Sequence, residues 1–486
     1  MPVVPPTRLL LTATLVTFGC GFHYGYQTTI INPTISVLQL FVNESFYSHY
    51  HHFLTAYQFR FVWAGIASTF MLGGLVGTLC MPPVADRFGR KKGLYLSSVL
   101  ILISATLSAT SKWTNSFEQF ALARFTFGVS VGFATGFQAI YLTELSPVKF
   151  RGFTGTYCGT VTGLGLLSSS LLGNPSILGN ENWPILYWIE IVPVLILLVT
   201  IPSWHESPNF LLAKGSKNKA KTSISGYHGS RVDVEKVLMS IEDDLQLQKR
   251  SVGLHQLWNS LGRRGMVLGT LINVCSQFSG GIAINTFAVF LLSSVGFSEK
   301  TASFAFGVYV ALGCLCNFLS TFGVERIGRR PIIIFNLAGC AVCNTVFLAI
   351  VLVYEQSAQP ILGYFFYGTM LVYSVTLCFG LAPAAWFITT EMVPHNARAA
   401  AQSLAIMARY MSGFLIPIIF FPLQGRVGGL SFLLFIVPLV VACIYCYLYL
   451  PETKSKPICQ VLKEMYDEDE ISRLGGIDDE SISDSS

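Results

Sequence analysis

The sequence predicts an all-α membrane protein of twelve transmembrane helices, arranged as two six-helix bundles related by pseudo-symmetry. Three observations support this fold class: an apolar composition, twelve apolar runs of membrane-spanning length, and charged motifs that recur in both halves. Of the 486 residues, 52% are hydrophobic and only 12% are charged, and the mean hydropathy is +0.56. Because a typical soluble domain carries about 25% charged residues, the composition alone indicates a membrane protein.

The apolar residues are grouped in runs that match the thickness of a bilayer. A hydrocarbon core of about 30 Å requires about 20 apolar residues in a helix. The first run follows Arg8 like a signal peptide, but it continues past Gly21 without a small-residue cleavage site, so it is interpreted as a retained span. The predicted spans are residues 9–31, 61–83, 93–111, 118–142, 154–173, 183–202, 265–292, 301–323, 332–353, 361–386, 400–421 and 429–450.

Basic residues predict the orientation of these spans. If both termini are cytoplasmic, cytoplasmic segments hold 25 of the 31 Lys and Arg residues, which agrees with the positive-inside rule. The net charge of +5 therefore reflects topology and predicts no nucleic-acid partner. We expect a multi-pass protein of the plasma membrane, with the bilayer as its surroundings. The other six basic residues lie in outer loops (Arg60, Lys112, Lys300 and Arg426) or inside spans (Arg124 and Arg409).

Few motifs predict chemistry outside the membrane. Asn43 begins the sequon Asn43-Glu44-Ser45 in the first outer loop, so we expect glycosylation there. Eleven of the twelve cysteines lie in or beside spans and are interpreted as free core thiols. No nucleophile elbow, Walker loop or metal-ligand set is present in the sequence, so neither an enzyme nor a cofactor or metal site is predicted.

Composition also predicts the domain organisation. Residues 1–202 form an amino-terminal six-helix bundle and residues 265–456 a carboxyl-terminal one. Between them, residues 203–264 form a polar cytoplasmic linker with short amphipathic helices, and residues 457–486 form an acidic, disordered tail. In the linker, one apolar face at helical spacing predicts a helix that lies against the cytoplasmic surface; its residues are Val234, Val237, Leu238, Ile241 and Leu245.

Charged motifs repeat between the two halves. "DRFGRKK" begins at Asp86 and "ERIGRRP" at Glu325, and each follows a long apolar run. "ELSPVKFRG" and "EMVPHNARA" have the same acid-to-arginine spacing, and a third acidic residue recurs in "HESP" and "PETK". Recurrence in the same order at nearly one offset predicts two parallel six-helix halves, an organisation typical of secondary transporters.

Each half is therefore predicted to carry a charge cluster at its cytoplasmic face. An exposed ion pair is worth only ~0–1 kcal/mol, so strong pairs need good geometry. We expect the clusters to hold the halves together while the central cavity faces outward, and to separate when it faces inward. The alternative is that these charges only set topology. The first charge cluster comprises Arg87, Arg90, Glu144, Arg151 and Glu206, and the second comprises Glu325, Arg329, Glu391, Arg398 and Glu452.

Together with "ARFTFG", "HESPNFLL", "PAAWFITTE" and "LPETK", these motifs resemble the major facilitator superfamily, in its branch of facilitative glucose transporters. The resemblance covers about residues 9–460 and implies a twelve-helix carrier that moves hexoses down their gradient. One signature departs from the branch, because the usual Pro-Glu-Ser-Pro-Arg reads His205-Glu206-Ser207-Pro208-Asn209.

The resemblance and the titratable groups bear on energy coupling. Proton-driven relatives carry an Asp where this chain has Gln27, and because an amide does not take up a proton at physiological pH, uniport is favoured. Glu190 lies inside a predicted span, and such acids are usually functional or paired. It is interpreted as a partner of Arg124, with a proton site or a water-exposed acid as alternatives. His23 is either a core histidine or a ligand.

The residues at the family's substrate-binding positions are where this chain differs most from the family pattern. Of the family's hexose-binding positions, only Gln277 and Trp386 stand unchanged, while an Asn-Trp pair is replaced by Arg409-Tyr410. Other polar positions fall on Gly159, Ile282, Gly313 and Cys378, and the gating tyrosine falls on Phe287. The predicted substrate-binding residues are Gln277, Trp386, Tyr410, Arg409, Gln27, His23, Ser276 and Asn285.

Three functions remain open on the sequence. The first is a uniporter of a hexose or polyol. The second is the same carrier adapted to a small organic anion, because a guanidinium inside a span usually faces a cavity or a counter-charge and pairs well with carboxylates. The third is a transporter-like sensor that binds without translocating, although the short tail argues against it. The oligomeric state is left open.

Overall fold

The computed structural model describes residues 6–147, 150–228, 233–248, 258, 261–381, 384–394, 397–454, 456 and 458–466. These residues are predominantly helical and contain no strand. The helices of the first half are α1 (Thr7–Gly19), α2 (Gly21–Thr29), α3 (Ile35–Tyr50), α4 (Ala56–Phe88), α5 (Arg90–Thr110), α6 (Phe117–Leu145), α7 (Arg151–Leu172), α8 (Pro184–Thr200), α9 (Pro208–Ala213), α10 (Lys217–His228) and α11 (Val234–Gln248).

The second half continues with a similar series of long helices. This half also contains a π-helical segment at Leu377–Leu381 and a 3₁₀ segment at Gly428–Phe432. The helices are α12 (Arg263–Phe278), α13 (Gly281–Ser294), α14 (Glu299–Ile327), α15 (Arg329–Ser357), α16 (Pro360–Thr376), α17 (Ile388–Glu391), α18 (Arg398–Val427), α19 (Leu433–Tyr449) and α20 (Ile458–Met465).

Each of the twelve predicted spans falls on helix over most of its described residues. Within the described residues, nine segments are long and apolar enough to cross a membrane, and one of them, Arg398–Tyr449, contains the last two predicted spans. The first span is divided at Cys20 into α1 and α2. The fifth contains the shorter apolar segment Tyr157–Leu172. The all-α, twelve-helix fold predicted from the sequence is therefore confirmed.

Glycines allow close packing between the membrane helices of the first half. A Cβ on Gly73 of α4 would lie 2.0 Å from the carbonyl oxygen of Phe125 on α6, and one on Gly128 would lie equally close to Phe70. The same relation joins α2 and α7, where a Cβ on Gly25 would meet a carbonyl oxygen of α7 at 2.0 Å. Small residues at such contacts let helix backbones approach within lipid, where no hydrophobic effect drives association.

The linker and the tail differ in part from the sequence prediction. Val234, Val237, Leu238, Ile241 and Leu245 do form one face of a helix, α11, but this face packs against Ala220 and Ile224 of α10 and leucines of α9. Residues 458–465, assigned to a disordered tail, form helix α20. Its Val461, Leu462 and Met465 are buried. The disorder prediction fails here because the acidic composition of the tail begins only after this apolar face. Residues 467–486 lie outside the described residues.

The chain divides into two compact units that do not follow a simple halfway cut. The first unit comprises Met1–Gln246, Ala283–Cys314 and Gly413–Val427. The second unit comprises Leu247–Ile282, Leu315–Ser412 and Gly428–Ser486. The division into two six-helix bundles with the predicted bounds therefore remains a prediction.

Polar side chains attach the later segments of the first unit to its earlier helices. Asn32 donates through Nδ2 to the carbonyl oxygen of Ile284 at 3.2 Å and accepts from the amide of Val289 at 2.9 Å. Arg60, predicted in an outer loop, donates to Gln424 at 3.2 Å and lies over the ring of Phe421. Hydrogen bonds and a cation–π contact therefore contribute to these junctions.

Candidate functional site

A buried polar network lies inside the first unit, on α2, α6 and α8. Arg124 donates through one guanidinium nitrogen to Gln27 Oε1 at 2.7 Å, and Gln27 Nε2 donates to Glu190 Oε2 at 2.6 Å. His23 Nδ1 lies 2.9 Å from Glu190 Oε1. Only this orientation of the Gln27 amide gives both neighbours a partner. With Arg124 cationic and Glu190 anionic, the network is neutral although almost no water reaches it.

This arrangement changes two expectations. Glu190 and Arg124 were expected to form a direct pair, but Gln27 stands between them and transmits the interaction through its amide. His23 and Gln27 were predicted to bind substrate, yet both are fully buried. His23 is therefore placed as a core histidine, with Nε2 lacking a partner among the described residues.

A second group lies inside the second unit and contains a cation. Arg409 donates to Ser276 Oγ at 2.8 Å, and its guanidinium carbon lies 4.7 Å from the centre of the Trp386 indole. Stacking on an aromatic face and one hydrogen bond fix the guanidinium plane. No acidic partner of Arg409 is present among the described residues, and Trp386 is 38% exposed. The group therefore presents a partly solvated cation beside an aromatic surface.

The other predicted substrate residues are dispersed. Gln277 follows Ser276 on α12 and is 8% exposed, and Tyr410 is buried at 4% exposure. Both belong to the second unit, whereas Asn285 lies half-buried on α13 in the first. The structure thus brings Ser276, Trp386 and Arg409 into contact.

The sequon has an unexpected setting. Asn43 lies half-buried on α3 rather than in an extended loop. Ser45, its third residue, is fully buried; its hydroxyl donates to the carbonyl oxygen of Asn115 and accepts from the amide of Phe117. Glycosylation of Asn43 remains a prediction.

The first charge cluster is built around the amino terminus of α5. Arg90 forms two hydrogen bonds with Glu144, at 3.0 and 2.9 Å. Glu206 accepts from the backbone amides of Arg90 and Lys91, so a carboxylate occupies the positive end of the helix. Gly89 permits this approach, because its φ is +91° and a Cβ there would lie 2.6 Å from Glu206.

The second charge cluster repeats this construction at the amino terminus of α15. Arg329 lies 3.3 Å from Glu391, and the amides of Arg329 and Arg330 donate to Glu452 at 2.9 and 3.2 Å. Gly328 has φ of +110°, and a Cβ there would lie 2.7 Å from Glu452. The repeated glycine in "FGR" and "IGR" is thus required by the same cap in each half.

Four predicted cluster members take no part in the contacts described for these two clusters. Arg87 is exposed and lies over the ring of Phe88, while Arg398 donates to the carbonyl oxygen of Val393 at 3.3 Å. The side chains of Arg151 and Glu325 lie outside the described part of the chain. The ion pairs that are described make each cluster a contact within its own unit.

Sequence reasoning missed several functional neighbours. Ser207 donates to Glu144, and Thr453 donates to Glu391. A signal was available, because each of these hydroxyl residues directly follows the capping glutamate of its half. Asn344 and Tyr373, which both donate to the carbonyl oxygen of Ser279, were also missed, since a polar residue alone in an apolar run does not reveal its partner.

Comparisons with known proteins agree with this architecture. The sequence profile described as "Sugar (and other) transporter" matches residues 12–464. The chain is 28% identical to the horse (Equus caballus) "Solute carrier family 2, facilitated glucose transporter member 5" over 94% of this chain and 91% of that protein. It is also 28% identical to member 1 from chicken (Gallus gallus), over 93% and 92% of the two chains.

Solved structures show the same fold at lower sequence identity. The xylose transporter XylE from E. coli, in a partially occluded inward-open conformation, superposes with a TM-score of 0.77 at 20% identity, covering 93% of this chain and all of that one. This likeness establishes the major facilitator fold. Since the family profile covers almost the whole chain, the protein belongs to the sugar transporter family, whose members are multi-pass membrane transporters and not enzymes.

Proposed function

We propose that the protein is a uniporter that moves a hexose or a related polyol across the plasma membrane by alternating access, with both termini in the cytoplasm. The observation that carries the uniport proposal is the position of Gln27. Its amide joins Arg124 to Glu190, and an amide at this point neither gains nor loses a proton during a cycle. The relatives named as facilitated glucose transporters support the substrate class.

The two charge clusters support the alternating-access part of the proposal. Their matched construction, one per half, gives two helix amino termini the same carboxylate cap. Contacts that depend on a few hydrogen bonds can form and break during a cycle, since a hydrogen bond to a charged group is worth only ~1.5–3 kcal/mol. We propose that they stabilise the outward-facing state.

Uptake into proteoliposomes tests the proposal. Labelled hexoses and polyols are expected to equilibrate across the membrane at the same rate with and without an imposed proton gradient. Accumulation of sugar above equilibrium, driven by inward protons, would replace uniport by symport and would direct attention to Glu190 and His23. Binding of sugar without entry would favour the sensor.

A second candidate function follows from Arg409. The guanidinium has no acidic partner among the described residues and stacks on a partly exposed indole. A carboxylate or another planar anion would satisfy its free N–H donors with two parallel hydrogen bonds. We therefore propose a small organic anion as the alternative substrate of the same uniporter.

Replacing Arg409 with glutamine separates the two candidates. If the substrate is an anion, R409Q is expected to lower uptake at least about a hundredfold, because charge-assisted hydrogen bonds are lost from a partly buried site. If the substrate is a neutral sugar, no ion pair with the substrate is lost and uptake is expected to fall by about tenfold or less. The measurement is initial uptake of labelled sugars and of labelled monocarboxylates by matched proteoliposomes. The control is R263Q, at an exposed arginine outside the two charge clusters.

A further inference from the structure

The break between α12 and α13 is held by side chains from two other helices. Helix α12 ends at Phe278, α13 begins at Gly281, and Gly280 between them has φ of +96°. The last carbonyls of a helix lack an intrahelical partner, and an unsatisfied carbonyl at membrane depth costs several kcal/mol. The Ser279 carbonyl oxygen instead accepts from Asn344 Nδ2 at 2.8 Å and from the Tyr373 hydroxyl at 3.0 Å.

Hydrogen bonds continue from this break to the cation. The Ser279 hydroxyl donates to the carbonyl oxygen of Ser276 at 2.7 Å. The Ser276 hydroxyl in turn donates to the carbonyl oxygen of Asn273 and accepts from Arg409 at 2.8 Å. An unbroken series of contacts therefore connects Tyr373 and Asn344 to Arg409 within the second unit.

The side chains of this hydrogen-bonded series are buried. Ser279, Asn344 and Tyr373 are each 0% exposed, and Ser276 is 6% exposed. Space around the break is also limited, because a Cβ on Gly280 would lie 3.1 Å from Asn344 Oδ1 and one on Gly281 would lie 2.8 Å from Leu377. In such surroundings the two donors fix both the depth and the rotation of the end of α12.

We propose that Asn344 and Tyr373 are positioning residues for substrate binding, which orient Ser276, Gln277 and, through Ser276, Arg409. This inference rests on the proposed function, because it gives these residues a role in a transporter's substrate site. Neither residue is expected to touch substrate. Their loss should therefore weaken binding while leaving the maximal transport rate largely intact.

Tyr373→Phe and Asn344→Ala test the proposal. Y373F removes only the hydroxyl and keeps the ring packed against Phe347. Each variant is expected to raise KM for uptake by about three- to tenfold, the effect of one lost hydrogen bond, with the maximal rate and the melting temperature close to wild type. N336A is the matched control, because Asn336 is also buried on the same helix, while within the described residues its amide donates to Ile332 of its own helix.

Backbone hydrogen exchange provides a readout that needs no substrate. Exchange in the segment 273–283 is expected to increase in Y373F and N344A but not in N336A. Exchange and KM equal to wild type would overturn the proposal, and so would a lower melting temperature with unchanged KM, which would indicate a role in packing only. If the wild-type protein moves no sugar or anion, the proposed function fails, while the exchange measurement still decides whether the two donors hold the break.

Discussion

Replacing Arg124 with leucine is expected to destabilise the folded protein by about 3–5 kcal/mol, the range found when one partner of a buried charge pair is removed. Arg124 is 3% exposed and Glu190 is 0% exposed. Without the guanidinium, the Gln27 amide oxygen loses a donor at 2.7 Å and the Glu190 carboxylate loses its compensating charge. The thermal unfolding of purified protein in detergent, followed by size-exclusion chromatography after heating, measures this loss.

A double variant distinguishes charge compensation from packing. Removing both charges in R124L/E190L should recover a large part of the stability that R124L loses, because no unpaired ion then remains in the bundle. R87L is the control, since Arg87 is exposed. If R124L unfolded at the same temperature as R87L, the network would not depend on a cation at this position, and the assignment of a cationic Arg124 and an anionic Glu190 would be wrong.

The buried network also illustrates what the sequence can indicate about a membrane site. Charged residues inside apolar spans identify Glu190 and Arg124 as partners, because isolated ions are too costly there. The sequence cannot show that Gln27 lies between them. That arrangement depends on how α2, α6 and α8 pack, and the rotation of a helix within a bundle is set by contacts that are distant along the chain.

The fold was easier to predict from the sequence than the site was, for a physical reason. The length and apolarity of a span are local properties, so the twelve spans could be located from runs of residues alone. The charge clusters were found because the same acids and arginines recur in both halves, and the structure places Glu206 and Glu452 at equivalent helix termini. Helix α20 was missed because its apolar face is only a few residues long and is followed by an acidic sequence.

The substrate site was the least predictable part. Gln277 and Trp386 could be carried over from the resemblance, but their neighbours are mostly exchanged in this chain. Arg409 could be identified as unusual, whereas its stacking on Trp386 and its hydrogen bond to Ser276 depend on the packing of segments that are distant along the chain. Ser279 lies between the predicted site residues Gln277 and Asn285. It gave no signal in the sequence, because its role depends on its carbonyl oxygen, which Asn344 and Tyr373 approach from other helices.

The charge clusters lead to the second large effect. Replacing Glu144 with glutamine is expected to shift the transporter towards its inward-facing state. The variant loses one charged partner of the two-bonded Arg90 contact, at 3.0 and 2.9 Å, and hydrogen bonds to charged groups are worth ~1.5–3 kcal/mol. The Arg329–Glu391 contact is looser, with atoms 3.3 Å apart, so E391Q should shift the equilibrium in the same direction but less.

Cysteine accessibility measures this shift. A reporter cysteine at Gln402, whose side chain reaches the Trp386 carbonyl oxygen, would be placed in a background without the twelve native cysteines. Its labelling from the cytoplasmic side is expected to be about fivefold faster or more in E144Q, given the energy of the lost contact. The control is E235Q, which removes one partner of an exposed pair with Lys221 and should have little effect.

The double variant E144Q/E391Q tests whether the clusters act together. If both stabilise the outward-facing state, their effects on the equilibrium should add, because the residues belong to separate ion pairs. Labelling rates of E144Q and E391Q equal to that of E235Q would reject a conformational role and leave the clusters with topology alone. A faster rate in E144Q together with a lower melting temperature would instead indicate local unfolding, so both quantities are measured on the same preparations.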